Sequence, residues 1–435
     1  MFPSVFLVFA FIRLCYAVDS KIVVAYLPSW GSYSASQIDF SIVTHVHYSF
    51  ATLTENDVLI LPEGPNLVDV VETVHKGGAK ITLAIGGATG SASFHNALST
   101  PDKISAAVNE ISSHVWQYRL DGIDIDWEFP VDPADHDNFY AFLKQLRQSL
   151  GDSFLISACV GINAFAGSDG APSKDVSDFA NVLSFVFIMA YDMNGSWADV
   201  TGPNAPFKDS TANNVWQSVE NWHQANFPYE KLVLGVPFYG MGLKVLDSMA
   251  NNDATNQQGT IDKSATESSY DYTQILTILG GRQYKYDTAT QTPWAYIEES
   301  QEYVSFDDPT SIAYKVNYAA CTGLLGVGMW DITKDGGKLL PSLKGIHSCD
   351  QSQNFETSSN QAVPNQITAT YSRCGGGWDD ANSNCYSRCN NDADCPNSLR
   401  CYKDLNVGVC SSLFNRDIRD ILEPKIVGAE SAYGF

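Results

Sequence analysis

The ten residues from Asp121 to Pro130 read DGIDIDWEFP, and their spacing is the most chemically loaded feature of the chain. On an extended strand, successive side chains point to opposite faces. Asp124, Asp126 and Glu128 would therefore share one face, while Ile123, Ile125 and Trp127 take the other. Carboxylates at alternate positions stand about 7 Å apart along a strand. Burying even one unpaired ion costs several kcal/mol. Like charges this close cannot all ionise, so at least one carboxyl keeps its proton near neutrality. A proton shared along the row would raise the last carboxyl, and Glu128 is the candidate general acid. Two other readings use the same residues. A solvated edge strand would put the charges in water but leave Ile123, Ile125 and Trp127 without a core. A hard-cation site would suit carboxylate oxygens, but the calcium-loop pattern places glycine after the third acidic position, and here Gly122 follows the first.

The elements that must position this row are legible as short apolar, β-branched runs. They are KIVVAYL from Lys21, HVHYSFA from His45, KITLAI from Lys80, GIDIDW from Gly122, FLISACV from Phe154, VLSFVFIMA from Val182, KLVLGVP from Lys231 and GLLGVGMW from Gly323. Near-continuous hydrophobic runs are what strands buried on both faces look like. Helical patterns lie between them, at Pro101 to Tyr118, Pro133 to Leu150 and Ser311 to Ala320. The second is bounded by Asp132-Pro133 at its start and Gly151 at its end. Strands alternating with helices predict a parallel sheet, and eight of them an α/β fold of the (β/α)8 TIM-barrel type. A doubly wound open sheet is the runner-up, but no G-x-G-x-x-G follows the first strand. In barrels the active site lies at the carboxyl ends of the strands, where this sequence places Tyr26, Phe50, Gly86-Gly87, Tyr191-Asp192, Tyr239 and Trp330 around the acid row. Aromatic faces gathered at one rim point to a carbohydrate cleft.

Composition narrows the partner. The 435-residue chain carries 26 Lys and Arg against 49 Asp and Glu, a formal net charge of -23. Such a chain repels phosphate backbones and anionic lipid, so no nucleic acid and no membrane surface is expected as partner. Residues 1–17 read as a signal peptide: an apolar stretch followed by Cys15-Tyr16-Ala17 as an A-x-A-like cleavage site. The late charge at Arg13 keeps an uncleaved anchor as the alternative. A secreted, extracellular protein is the expectation. The barrel is expected over 18–350, with residues 244–305, polar and aromatic, as a small α+β insertion between strands seven and eight. Residues 351–372 read as a linker and 412–435 as a tail without an assigned role. Between them, residues 373–411 hold six of the ten cysteines, the signature of a disulfide-rich module in an exported chain. Zinc is the rival reading, although no histidine lies among them. Cys159 reads as a buried thiol, and Cys321 and Cys349 could pair.

Together these segments resemble the family-18 glycoside hydrolases, the chitinases. DGIDIDWE fits the D-G-x-D-x-D-x-E signature of that family. AYLPSW (Ala25–Trp30), IGG (Ile85–Gly87), MAYDMNGSW (Met189–Trp197), GVPFYG (Gly235–Gly240), SFDDPTSI (Ser305–Ile312) and GMWDI (Gly328–Ile332) follow in the expected order. The resemblance implies hydrolysis of β-1,4 linkages in chitin or chitooligosaccharides by a retaining, substrate-assisted route. Glu128 would protonate the glycosidic oxygen, Asp126 would orient the substrate acetamido group, and Asp124 would share Asp126's proton or hydrogen bond. Tyr191 would donate to the attacking acetamido oxygen, with Met189 and Asp192 shaping its pocket. Tyr26, Phe50, Gly86, Gly87, Tyr239 and Trp330 would bind the sugars, and Asp121 would be structural. No metal or cofactor is implied, and a monomer is expected. A chitin-binding lectin of the same fold, or a hydrolase of N-glycan cores, remain the other classes. The chain departs from the pattern at Ala84 and Ala88, where the family usually has serine and often tryptophan, and at Met241, where many members have arginine. The sequon at Asn194 lies beside the cleft.

Overall fold

The strands form where β-branched and aromatic runs can be buried on both faces. In the computed structural model, which describes residues 21–353 apart from 168, 210 and 212, residue 355 and four short carboxyl-terminal strands, the first seven barrel strands are β1 (Ile22–Pro28), β2 (His45–Leu53), β3 (Lys80–Gly86), β4 (Gly122–Asp126), β5 (Leu155–Val160), β6 (Phe185–Met189) and β7 (Leu232–Pro237). An antiparallel sheet then intervenes, built from β8 (Tyr239–Lys244), β9 (Ser268–Asp271), β10 (Lys285–Asp287), β11 (Thr292–Ile297) and β12 (Glu302–Ser305) in the order β9-β8-β12-β11-β10. The last barrel strand, β13 (Gly326–Trp330), pairs in parallel with both β7 and β1, and β1 also pairs with β2, so the eight parallel strands close on themselves. This is the expected (β/α)8 barrel.

The sheet of the insertion begins at Tyr239, earlier than the polar composition does. Residues 239–243 are buried between β9 and β12 and therefore look like core rather than insertion. Strand seven ends at Pro237 as expected, and Phe238 joins it to the first strand of the insertion sheet.

Helices pack outside the barrel, and their ends follow local chemistry. Helix α1 (Leu67–Lys76) starts at Asn66, and α2 (Pro101–Tyr118) at Thr100 followed by a proline in the first turn. Helix α3 (Pro133–Leu150) is capped by Asp132, whose carboxylate accepts the Ala134 N–H at 2.9 Å, and Gly151 ends it with φ +83°. Among the described residues, the remaining α-helices of six or more residues are α4 (Ser177–Val182), α5 (Val215–Gln224), α6 (Tyr272–Leu279) in the insertion and α7 (Pro309–Thr322). Asp308 caps α7, and the adjacent Asp307 forms a fully buried ion pair with Lys315 at 2.6 Å. That pair joins the end of the insertion to the helix before β13. Cys321 and Cys349 are disulfide-bonded, and Cys159 is a buried free thiol.

The chain divides into two units, residues 1–353 and 354–435. In the second, residues 378–379 pair with 384–385, and 400–404 with 407–411, as antiparallel ladders. The signal segment, most of the linker, the pairing of the six carboxyl-terminal cysteines and the tail lie outside the described residues. Among the described residues, no helix is long and apolar enough to cross a membrane.

Candidate active site

Strand β4 is paired on both sides, with Asp124 opposite Ala84 of β3 and Ser157 of β5. Asp124 is wholly buried and Asp126 is 3% exposed, so the solvated-edge reading falls. Trp127, on the other face, stacks on Phe94 at 5.3 Å and meets the edge of Phe139 on α3 at 5.4 Å, which gives the apolar half its core outside the barrel.

Close approach of β3 and β4 is possible because their junction is glycine. A Cβ on Gly86, where φ is +115°, would stand 2.1 Å from the Asp126 carbonyl oxygen. Ser91, in the turn that follows β3, fixes the end of the acid row. Its hydroxyl accepts the Glu128 N–H at 2.8 Å and has the carbonyls of Gly87 and Asp126 at 2.8 and 3.0 Å to donate to.

The three carboxyls have different environments. Asp124 is saturated: Ser157 donates to Oδ1 at 2.6 Å, Tyr26 donates to Oδ2 at 2.7 Å, and His47 Nδ1 lies 3.1 Å from Oδ2. Burial pushes this carboxyl up, but the His47 ring and the hydrogen bonds from His47, Ser157 and Tyr26 together outweigh it and hold Asp124 below the usual range. Asp126 is pushed well above that range by burial, then by the charges of Glu128 and Asp124, and its Oδ1 has no hydrogen-bond partner. Glu128 is pushed up to about 7, first by burial and then by the charge of Asp192. The resemblance implied that Asp124 and Asp126 share a proton or hydrogen bond. No hydrogen bond joins them, and Asp124 is the fixed anion while the proton belongs to the outer two groups.

Asp192 follows Tyr191 at the end of β6, in a left-handed conformation with φ 56°. Its N–H donates to Asn204 Oδ1 at 2.9 Å, and its carboxylate accepts the Tyr239 hydroxyl. Although Asp192 is exposed at the cleft, its carboxyl is pushed up to about 6, mainly by lost hydration, with the Tyr239 hydrogen bond opposing. Tyr191 and Tyr239 meet edge to face at 6.0 Å. Burial pushes the Tyr191 phenol well up, so it remains a donor.

The aromatic rim assembles as the sequence implies. Phe50 stacks on Trp330 at 5.6 Å and 23°, Tyr26 meets Trp330 at 5.6 Å, and Trp30, 55% exposed, lies 6.4 Å from Trp330. A Cβ on Gly87 would stand 2.8 Å from the Phe50 ring, so this glycine makes room for the platform. Met189 is half-buried at the end of β6. Asp121, at the opposite end of the strand, accepts the Ile81 N–H at 2.8 Å and contacts His75 at 2.9 Å, a structural arrangement. Ala88 is exposed and Met241 buried. The Asn194 amide donates to the Pro203 carbonyl at 2.9 Å.

Sequence reasoning missed His47, Ser157, Ser91 and the place of Cys159. The first, second and fourth sit at inward positions of strands already recognised. The signal for them was a polar residue two positions from another inward residue, as in His45-His47 and Ser157-Cys159.

A closed barrel with an inward acid row at the carboxyl ends of its strands, ringed by aromatics, is the architecture of a glycoside-hydrolase fold. The chain belongs to the glycosyl hydrolases family 18, which it matches over residues 22–335. Among its relatives it is 31% identical over 394 residues to a chitinase-like effector of Moniliophthora roreri, covering 77% of this chain and 95% of the relative. It is also 31% identical to probable chitinase 2 of Drosophila melanogaster, covering 73% of each. Among solved structures, a chitinase from Rhizomucor miehei superposes with a TM-score of 0.71 at 29% identity, over 75% of this chain and all of that one. The Ostrinia furnacalis Group IV chitinase in complex with allosamidin gives 0.65 at 26% identity, over 75% and 97% of the two chains.

Proposed function

We propose that the protein is a secreted, monomeric chitinase that hydrolyses β-1,4 linkages between N-acetylglucosamine units with net retention. The observation that carries this reading is the inward acid row, buried at Asp124 and Asp126 at the carboxyl end of β4 and flanked by the stacked Phe50 and Trp330. Glu128 at about 7 holds a proton through the mildly acidic range, next to an Asp126 with an uncommitted oxygen.

In the first step Glu128 gives its proton to the glycosidic oxygen as that bond breaks. The substrate's own acetamido carbonyl oxygen bonds to the anomeric carbon, giving an oxazolinium-like intermediate. Asp126 turns to accept the acetamido N–H, and the turn breaks no hydrogen bond at Oδ1. The negative charge of Asp124 behind it stabilises the developing cation. Tyr191 donates to the acetamido oxygen and aligns it for attack. Trp330, stacked with Phe50, supplies the floor under the reacting ring. Glu128, now ionised, takes a proton from water as the water opens the intermediate on the same face. Ala88 offers no stacking surface beside Gly87, so grip on the leaving-group side rests on fewer contacts than many family members have.

Release of fluorophore from a chitotriose conjugate tests the reading, with Glu128→Gln as control. The enzyme reading requires turnover by the wild type and a loss of about 10²–10⁴-fold in the variant. Retention on chitin with no turnover would make the protein a lectin, and release of glycans from a glycoprotein in place of chitotriose turnover would make it an N-glycan hydrolase.

A further inference from the structure

His47 Nδ1 lies 3.1 Å from Asp124 Oδ2 with both side chains 0% exposed, and neither ring nitrogen makes a well-directed hydrogen bond. The mechanism above uses Asp124 but assigns nothing to His47. Its ring lies edge to face with Tyr26 at 4.9 Å and stacks on Phe185 of β6 at 6.0 Å. Across the sheet, His47 is in register with Tyr26 on β1 and Thr82 on β3. The titratable groups facing it are thus Tyr26, Asp124 and, two positions back on its own strand, His45. Thr82 contributes a buried hydroxyl without a partner. The β3 neighbour of Asp124 is Ala84, which has no polar group to offer. Tyr26 on β1 and Ser157 on β5 donate to Asp124, His47 on β2 stands 3.1 Å away, and β3 offers nothing.

We propose that His47 is a positioning residue of the acid row, holding Asp124 as its permanent anion so that the mobile proton stays on Asp126 and Glu128. The proposal deepens the chitinase reading and rests on it for its catalytic consequence, but not for the ion pair itself. Without His47, burial would dominate Asp124, which would take up a proton at mildly acidic pH. The row would then lose the charge that backs Asp126 as the oxazolinium cation forms.

Two readouts test this, one independent of turnover. Thermal unfolding of the full chain and of His47→Asn is followed from pH 4 to 8. Leaving a buried anion unpaired should lower Tm by about 5 °C at pH 7. The deficit should fall to less than half that at pH 4, because a protonated Asp124 no longer needs the partner. A deficit constant with pH would show that His47 only packs, and would overturn the proposal. In the second readout, kcat/KM on the fluorogenic chitotriose is measured over the same range. The acid limb of His47→Asn should rise by at least one pH unit while the basic limb stays near that of the wild type. Ala84→Ser, which adds a hydroxyl beside Asp124, should leave both limbs in place in the wild type and return the acid limb of the double variant toward the wild-type value. An acid limb unmoved in His47→Asn, or lowered by Ala84→Ser alone, would overturn it. A pH-dependent Tm deficit in a protein that turns over no chitooligosaccharide would uphold the ion pair and reject the chitinase reading.

Discussion

Replacing Asp192 by asparagine should move the basic limb of activity to lower pH without abolishing the acid row. Glu128 stands at about 7 against an ordinary 4.5, and after burial the charge of Asp192 is the cause. Asp192, at about 6, is mostly ionised where Glu128 begins to lose its proton. A like charge across a cleft repels by about 1–2 kcal/mol at an effective dielectric of about 20. That repulsion is worth about one pH unit, and exposure of Asp192 to solvent trims it further. The kcat/KM profile of a free enzyme reports the groups that must carry or lack a proton. The wild-type basic limb should therefore fall near pH 7, and that of Asp192→Asn near pH 6. The position of the limb is separate from the height of the profile, which will also drop because Asp192 and Tyr239 hold each other at the cleft. A limb that stays in place, or moves to higher pH, would refute the electrostatic account of Glu128.

Further consequences follow from the same geometry. Glu128→Gln should be more stable than the wild type at pH 8 by about 2–3 kcal/mol in urea unfolding. A folded-state value above the unfolded one makes wild-type stability fall as pH rises from about 4.5 through about 7, and equal stabilities at pH 8 would contradict this. Ser91→Ala should cost about 1–3 kcal/mol in the same assay, since it removes the hydroxyl that accepts the Glu128 N–H. Gly86→Ala should fail to give soluble protein or unfold at much lower urea, because of the 2.1 Å clash with the Asp126 carbonyl. Breaking the Cys321–Cys349 bridge, whose ends are 28 residues apart, should cost about 3.5 kcal/mol by loop entropy, read as the difference in urea unfolding between oxidised and Cys321→Ser protein.

The barrel was legible because parallel strands buried on both faces are written as unbroken apolar runs, and because Asp132, Pro133 and Gly151 punctuate α3 in the sequence itself. The acid row was legible for a similar reason: a period of two needs no knowledge of neighbours. His47 and Ser157 were not, since an inward side chain's partners depend on the register between strands, which no single run specifies. The same gap hid how the row is divided. Three like carboxyls look equivalent in sequence, and only Tyr26, His47 and Ser157 converging on Asp124 make it the anion. The start of the insertion was misplaced because Tyr239 to Leu243 are buried, and burial erases the compositional contrast that marks an inserted lobe.

The most direct test of the account is the configuration of the first product released from chitotetraose, followed by proton NMR before mutarotation sets in. Attack by the substrate's own acetamido oxygen, with water arriving on the face the leaving group vacated, predicts the β-anomer first, and no β-anomer from Glu128→Gln. An initial α-anomer, or undiminished release by that variant, would contradict it.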